Sequence, residues 1–364
     1  MGAYIARRLL LVIPTLLGIL IINFTLVQFL PGGPIEQILS DLNEGGTATD
    51  RFAGAGQSDA GGGGGGGGAA MEYQGARGLP PDFIAELERQ YGLDKPPVER
   101  FALMVWNYLQ FDFGESYRRS ISVVDLVLEK MPVSITLGLW STLIAYLVSI
   151  PLGIRKAVRD GTSFDVWTSG TIVVAYAIPG FLFAVILLVV FAGGSYVQWF
   201  PLRGLTSDNW EELSLLGKVI DYFWHIILPV TAVTIGAFAT LTLLTKNSFL
   251  DQIRMQYVMT ARAKGLAEGR VLYGHVFRNA MLIIIAGVPA LVIGVFFGGS
   301  LIVEVIFNLD GLGRLFYESA IYRDYPVVFG TLYVFGLIGL LTGILSDLMY
   351  VIVDPRIDFD SRET

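Results

Sequence analysis

Six apolar runs divide the chain, at 9–30, 133–154, 166–192, 224–244, 280–303 and 327–352. A helix rising 1.5 Å per residue needs about 20 such residues to cross a hydrocarbon core of ~30 Å. The pattern therefore predicts an all-α polytopic membrane protein with six transmembrane helices, the first lying within residues 1–30. Nothing in it resembles the short alternating segments of a membrane β-barrel. The first run follows Arg7 and Arg8 but is longer than the apolar part of a signal peptide, and no A-x-A site follows it. A retained span is expected. Pro14 and Asn23 inside it call for helical neighbours that satisfy them.

Between the first two runs lies a polar insert, 31–132. Its 44–78 part contains eight consecutive glycines, Gly61 to Gly68, and is expected to be disordered, because such a tract loses much backbone entropy and buries nothing. The 80–130 part reads as partly helical. Phe83, Ile84, Leu87 and Tyr91 share one face before Gly92, and a second helix is expected over 97–109 with Phe101, Met104, Val105 and Tyr108 on its apolar side.

Composition agrees with a membrane protein: 53% of residues are hydrophobic and 16% charged, against about a quarter charged in soluble domains. Charge then orients the chain. With both termini inside, the short inner segments hold Arg7, Arg8, Arg155, Lys156, Arg159, Lys246, Arg254, Arg262, Lys264, Arg270, Arg278, Arg356 and Arg362. The two short outer loops hold only Arg203, Lys218, Arg314 and Arg323. The positive-inside rule thus predicts cytoplasmic termini, including a tail at 353–364, and a periplasmic insert. The acidic residues concentrate on the outer side, where they solubilise the loops or steer a cationic ligand.

Candidate chemistry narrows the functions. Cysteine is absent, which excludes disulfides, thiolate metal sites and a cysteine nucleophile. His225 and His275 are too far apart in sequence to suggest a metal cluster, and no catalytic residues, metal or cofactor site are expected on this chain. Asp347 and Glu304 lie at span ends, and no carboxylate or histidine falls near the middle of a span, which argues against an ion-coupled transporter. No G-x-x-x-x-G-K-[ST] occurs, so the chain cannot hydrolyse ATP in the P-loop manner. Energy for uphill transport would come from a partner.

The 246–279 stretch is a basic island between two apolar runs. A helix is predicted over 251–264 with Ile253, Tyr257, Thr260, Ala261 and Lys264 along one side, closed by Gly265 in a left-handed conformation. A second helix is expected to start near Glu268, with Val271, Leu272, His275 and Val276 as its apolar stripe. By pattern alone this pair could equally lie in the lipid interface.

The segment YVMTARAKGLAEGRVLYGHVFRNAM resembles the EAA loop of binding-protein-dependent ABC importer permeases, in the variant of the dipeptide and oligopeptide group. PGGP at 31–34, FDFGES at 111–116, MPVSITLGLW at 131–140, DGLGRLFYESAIYRDYP at 310–326 and VDPRIDF at 353–359 extend the likeness over nearly the whole chain. The long insert and TLLTKNSFLDQIR at 242–254 are similar to a subgroup that imports peptides and microcin C. Two departures stand out: Met259 occupies the place of the motif's glutamate, and Ala267 that of a capping Ser or Thr.

The resemblance implies a type I ABC importer permease fold, with a permease core at 133–352, in the bacterial inner membrane. It implies docking on a cytoplasmic ABC ATPase through Thr260, Ala261, Arg262, Ala263, Lys264, Gly265 and Leu266. ATP and Mg would be bound on that partner. It further implies a second, related permease subunit, a periplasmic substrate-binding protein, surrounding lipid and a peptide-like substrate, and no nucleic acid. Tyr176, Pro179, Pro229 and Pro289 become candidates for the pathway, although helix packing explains each of them as well. Import of muropeptides by the same machinery, an ion-coupled transporter and a non-transporting scaffold are the alternatives.

Overall fold

The computed structural model describes residues 2–29, 94–194, 196–288 and 300–353. Among them every regular element is helical, apart from an isolated antiparallel bridge between Glu115 and Ser122. The helices are α1 (Gly2–Phe29), α2 (Pro97–Leu109), α3 (Val123–Val158), α4 (Ser163–Ala177), α5 (Gly180–Phe191), α6 (Leu215–Ile253), α7 (Gln256–Ala263), α8 (Glu268–Val271), α9 (Phe277–Ala286), α10 (Ser300–Ile306), α11 (Leu312–Ile321) and α12 (Tyr325–Val353).

Among the described residues four helices, α1, α3, α6 and α12, are long and apolar enough to cross a membrane, and α4 with α5 makes a fifth crossing if the bent pair is one span. The expected 166–192 span is therefore not one straight helix. It breaks at Ile178 and Pro179 with a bend of 93°. Ile178 takes an extended conformation (φ −82°, ψ 120°), as a residue before proline does, and Pro179 then starts α5. The expected 280–303 span falls partly on 289–299, outside the described residues, as do the glycine-rich 44–78 tract and the helix expected before Gly92.

The second predicted helix of the insert is α2, opened by Pro97 at its first position, where the missing N–H costs nothing. The apolar run at 133–154 lies inside a longer helix, since α3 already begins at Val123 with Asp125 in its first turn. Ser214 caps α6 by accepting a hydrogen bond from the Gly217 N–H at 3.1 Å.

Two compact units are distinguishable. The larger takes in the described residues of 125–318 with those of 2–14 and 334–353, and the smaller takes in the described residues of 15–124 with Ser319–Tyr333. In the smaller, Tyr108, Phe113 and Tyr333 meet edge-on or tilted, and Asp324 accepts hydrogen bonds from the Ser116 hydroxyl and the Tyr117 N–H.

In the larger, two buried apolar clusters form. One gathers Leu137, Ala184, Ile226, Val230, Val303 and Phe307; the other gathers Ala145, Ile154, Phe249, Val258, Ala261, Val276 and Ile284. Helices α3 and α6 cross closely at Gly153, where a Cβ would sit 2.5 Å from the Thr245 Cβ and 2.9 Å from the Thr242 carbonyl oxygen. Small residues let helices approach in this way where no hydrophobic force holds them together in lipid. Gly153→Val is expected to destabilise the fold by about 1–3 kcal/mol through overpacking. Gly170→Ala, with open space around it, should be neutral. Midpoints of heat-induced aggregation in detergent check both.

Candidate functional site

The basic island folds as a helix–turn–helix within the larger unit. Its first residues do not open a new helix; they continue α6 to Ile253, held by the buried Phe249 and by the Ser248 hydroxyl donating to the Ala280 carbonyl at 2.7 Å. The chain turns at Met255 (φ −74°, ψ 150°), and α7 follows.

Gly265 ends α7 in the left-handed region, at φ +79°. Its N–H donates to the Arg262 carbonyl at 2.8 Å, and the Leu266 N–H reaches back to the Ala261 carbonyl at 3.3 Å. This is a Schellman closure, which satisfies carbonyls the helix end would otherwise leave open. Leu266 completes it by packing on the same buried cluster as Ala261.

The second helix does start at Glu268, as the charge pattern predicts, with Ala267 before it contributing no side-chain cap. A paired contact across the turn connects the two helices instead. Arg262 Nε lies 2.9 Å from Glu268 Oε1, and Nη2 3.0 Å from Oε2. A forked pair of this kind fixes orientation, although its exposure limits its contribution to about 1 kcal/mol or less. After Val271 the backbone widens into one π-helical turn, Leu272–Val276, and continues as α9.

The seven residues singled out in sequence divide by burial. Ala261 faces inward and Leu266 is half-buried, whereas Thr260, Arg262, Ala263, Lys264 and Gly265 are exposed. The Thr260 hydroxyl bonds back to the Gln256 carbonyl at 3.0 Å. Val258, fully buried, anchors α7 and was not among the seven. Three apolar side chains that the sequence pattern did not select are exposed here: Met255, Met259 and Tyr273 at 47%, 65% and 63%. Met259 and Ala263 are one helical turn apart, so a knob beside a small residue could have been read from spacing. Beneath the turn a cleft of about 320 Å³ is lined by Ala157, Val158, Ile253, Val258, Arg262, Glu268 and Val271.

Beside the turn lies a charge network that sequence reading did not assemble. Lys156, at the end of α3, has no solvent exposure; its Nζ lies 2.7 Å from Thr168 Oγ1, 2.7 Å from Ser169 Oγ, and 3.0 Å from both the carbonyl and Oδ1 of Asp165. The other Asp165 oxygen accepts from Lys246 Nζ at 2.7 Å and from the Gly161 N–H at 3.2 Å. Lys246 also reaches Asp160 at 3.0 Å, and Asp160 lies 3.6 Å from Arg254. Burying these charges is tolerable because each is paired and hydrogen-bonded.

The pathway candidates are dispersed. Tyr176 and Pro179 are exposed at the break between α4 and α5. An apolar concavity of about 550 Å³ next to it is lined by Trp167, Val174, Ile178, Phe183 and Ile235. Pro229 is buried inside α6, which continues through it. Pro289 lies outside the described residues.

Comparison with known proteins gives this architecture a family. Residues 149–359 match the family described as binding-protein-dependent transport system inner membrane component. The chain is 58% identical to the peptidoglycan transport system permease protein YejB of Agrobacterium fabrum, over all of both chains. It is also 58% identical to the inner membrane ABC transporter permease protein YejB of Escherichia coli O157:H7, again over the whole of both. To the oligopeptide transport system permease protein AppB of Bacillus subtilis it is 34% identical, over 99% of this chain and 100% of that one. The chain therefore belongs to the binding-protein-dependent transport system inner membrane components, as a multi-pass translocation subunit and not an enzyme.

Proposed function

We propose that this chain is one of two transmembrane subunits of an ATP-driven importer for peptides or peptide-like compounds, among them oligopeptides and compounds of the microcin C type. The observation that carries the coupling part is the exposed turn at 255–273. It is a short helix closed by a left-handed glycine, with Met255, Met259 and Tyr273 open to a partner. Such a knob suits helix-in-groove recognition. In this reading a cytoplasmic ATPase, which binds ATP and Mg, receives Thr260 to Leu266 together with Met259. Both termini and the turn are cytoplasmic, and the 31–132 insert faces the periplasm, where a binding protein delivers substrate.

A second substrate reading, muropeptides, is favoured by the relative named for peptidoglycan transport. Both are tested with the permease pair, ATPase and binding protein reconstituted in proteoliposomes. Uptake of a radiolabelled tripeptide or of a disaccharide tripeptide should require ATP and the ATPase. Uptake that persists without the ATPase would sink the reading, and the ratio of the two uptakes decides the substrate class.

A further inference from the structure

The charge network beside the turn has a feature that stability alone does not demand: it joins the joint of α7 to the broken span. Its outer end, Arg254, is the residue at which α6 stops and from which α7 departs. Its inner end, Thr168 and Ser169, lies on α4, two to three turns before the 93° break at Ile178 and Pro179. Between them every link is ionic or hydrogen-bonded: Arg254 to Asp160, Asp160 to Lys246, Lys246 to Asp165, and Asp165 to Lys156.

The links differ in exposure. Asp160 and Arg254 are open to solvent, at 39% and 73%, while Lys246, Asp165 and Lys156 are sheltered, at 14%, 7% and 0%. An ammonium has three donors, and Lys156 has four acceptors around it, so it cannot shift relative to α4 without exchanging partners. The outer links are cheap to remake and the inner ones are not. Lys246 sits on α6 itself, about two turns before its end, so a displacement of that end passes through the sheltered Lys246–Asp165 pair to α4 even where the exposed Arg254–Asp160 link is remade.

Resting on the proposed function, we infer that Lys246 and Asp165 are positioning residues that transmit movement of the 256–263 helix to the 163–191 broken span. They do not contact the ATPase. Coupling is a dependence of the broken span on the nucleotide state of the ATPase, and the test reads that dependence.

The chain has no cysteine, and Tyr176, exposed at the break, can report as Tyr176→Cys. In the assembled importer, its rate of modification by a maleimide should differ at least fivefold between the nucleotide-free and the vanadate-trapped ATP states. With Lys246→Met added, that difference should fall below twofold while the ATPase still co-purifies in normal amount. Lys246→Arg, which keeps the charge, should retain it. Should Lys246→Met fail to assemble, Lys246→Gln, which keeps a polar end group but no charge, should still reduce the difference by at least half. An undiminished difference in either neutral variant overturns the inference. So does a Lys246→Arg importer as insensitive as Lys246→Met. Loss of ATPase co-purification from the unmutated chain would instead count against the proposed function.

Discussion

Gly265→Pro is expected to abolish uptake and reduce ATPase co-purification at least tenfold, while the chain still inserts in the membrane in normal amount. Proline fixes φ near −65°, whereas position 265 requires +79°, and it lacks the N–H that donates to the Arg262 carbonyl at 2.8 Å. Both parts of the turn closure fail together. Leu266 then leaves the buried cluster that holds it, and Arg262 loses its alignment with Glu268. Helices α6 and α9 have their own buried anchors, Phe249, Ala280 and Ile284, which is why insertion survives. Gly265→Ala separates the two causes. A Cβ there meets nothing within 4 Å, so only the left-handed conformation is penalised, by roughly 1–2 kcal/mol. That variant should lose between about fivefold and about thirtyfold in ATPase binding, since 1.4 kcal/mol corresponds to tenfold. Normal co-purification and uptake with proline at 265 would falsify the docking role.

The turn was legible in sequence because its signals are local. Gly265 follows a periodic segment and Glu268 opens the next, so both helix ends could be placed within a few residues. Helix α2 was legible for the same reason, with Pro97 at its start and an apolar stripe behind it. The break at Pro179 was visible only as a proline within an apolar run. A proline inside α6, Pro229, leaves that helix continuous, so the residue type does not decide the outcome; the extended Ile178 does.

The charge network was illegible for a different reason. Lys156 and Lys246 enter the sequence reading as two of many inner cations. Their shared partner Asp165 is 9 residues from one and 81 from the other. The close approach of α3 and α6 at Gly153 brings Lys246 to the α3–α4 turn that already pairs Lys156 with Asp165. Likewise the exposed Met259 was read as a missing glutamate, although the fold turns it into the most prominent apolar side chain of α7. Pattern identifies elements, and it leaves open which polar groups meet when those elements pack.

Glu304 shows how much can depend on one such meeting. In sequence it marks the edge of an apolar run; in the fold it is wholly buried. One carboxylate oxygen accepts from the Ser134 hydroxyl at 2.8 Å and the other from the Arg314 N–H at 2.9 Å, while Ser134 in turn accepts from the Leu312 N–H at 2.9 Å. Leu312 and Arg314 are in the first turn of α11, whose free N–H groups and positive dipole end suit a carboxylate. Gly311 and Gly313 allow the approach, since a Cβ on either would come within 3 Å of the carboxylate. Glu304→Leu, close in size, leaves the Arg314 N–H and the Ser134 hydroxyl without this acceptor. At about 1–3 kcal/mol for each stranded group, the expected loss is ~2–6 kcal/mol, a large part of the 5–15 kcal/mol that holds a typical protein folded. Glu304→Gln keeps one acceptor but turns an amide N–H₂ toward a donor, and should fall between. The check is the fraction of chain that stays monodisperse in detergent after graded heating, with Glu212→Gln, at an exposed position, as the neutral control. A Glu304→Leu chain as heat-resistant as the unmutated one would show that α11 is held by its apolar contacts alone, and that the glycines at 311 and 313 serve something other than this carboxylate.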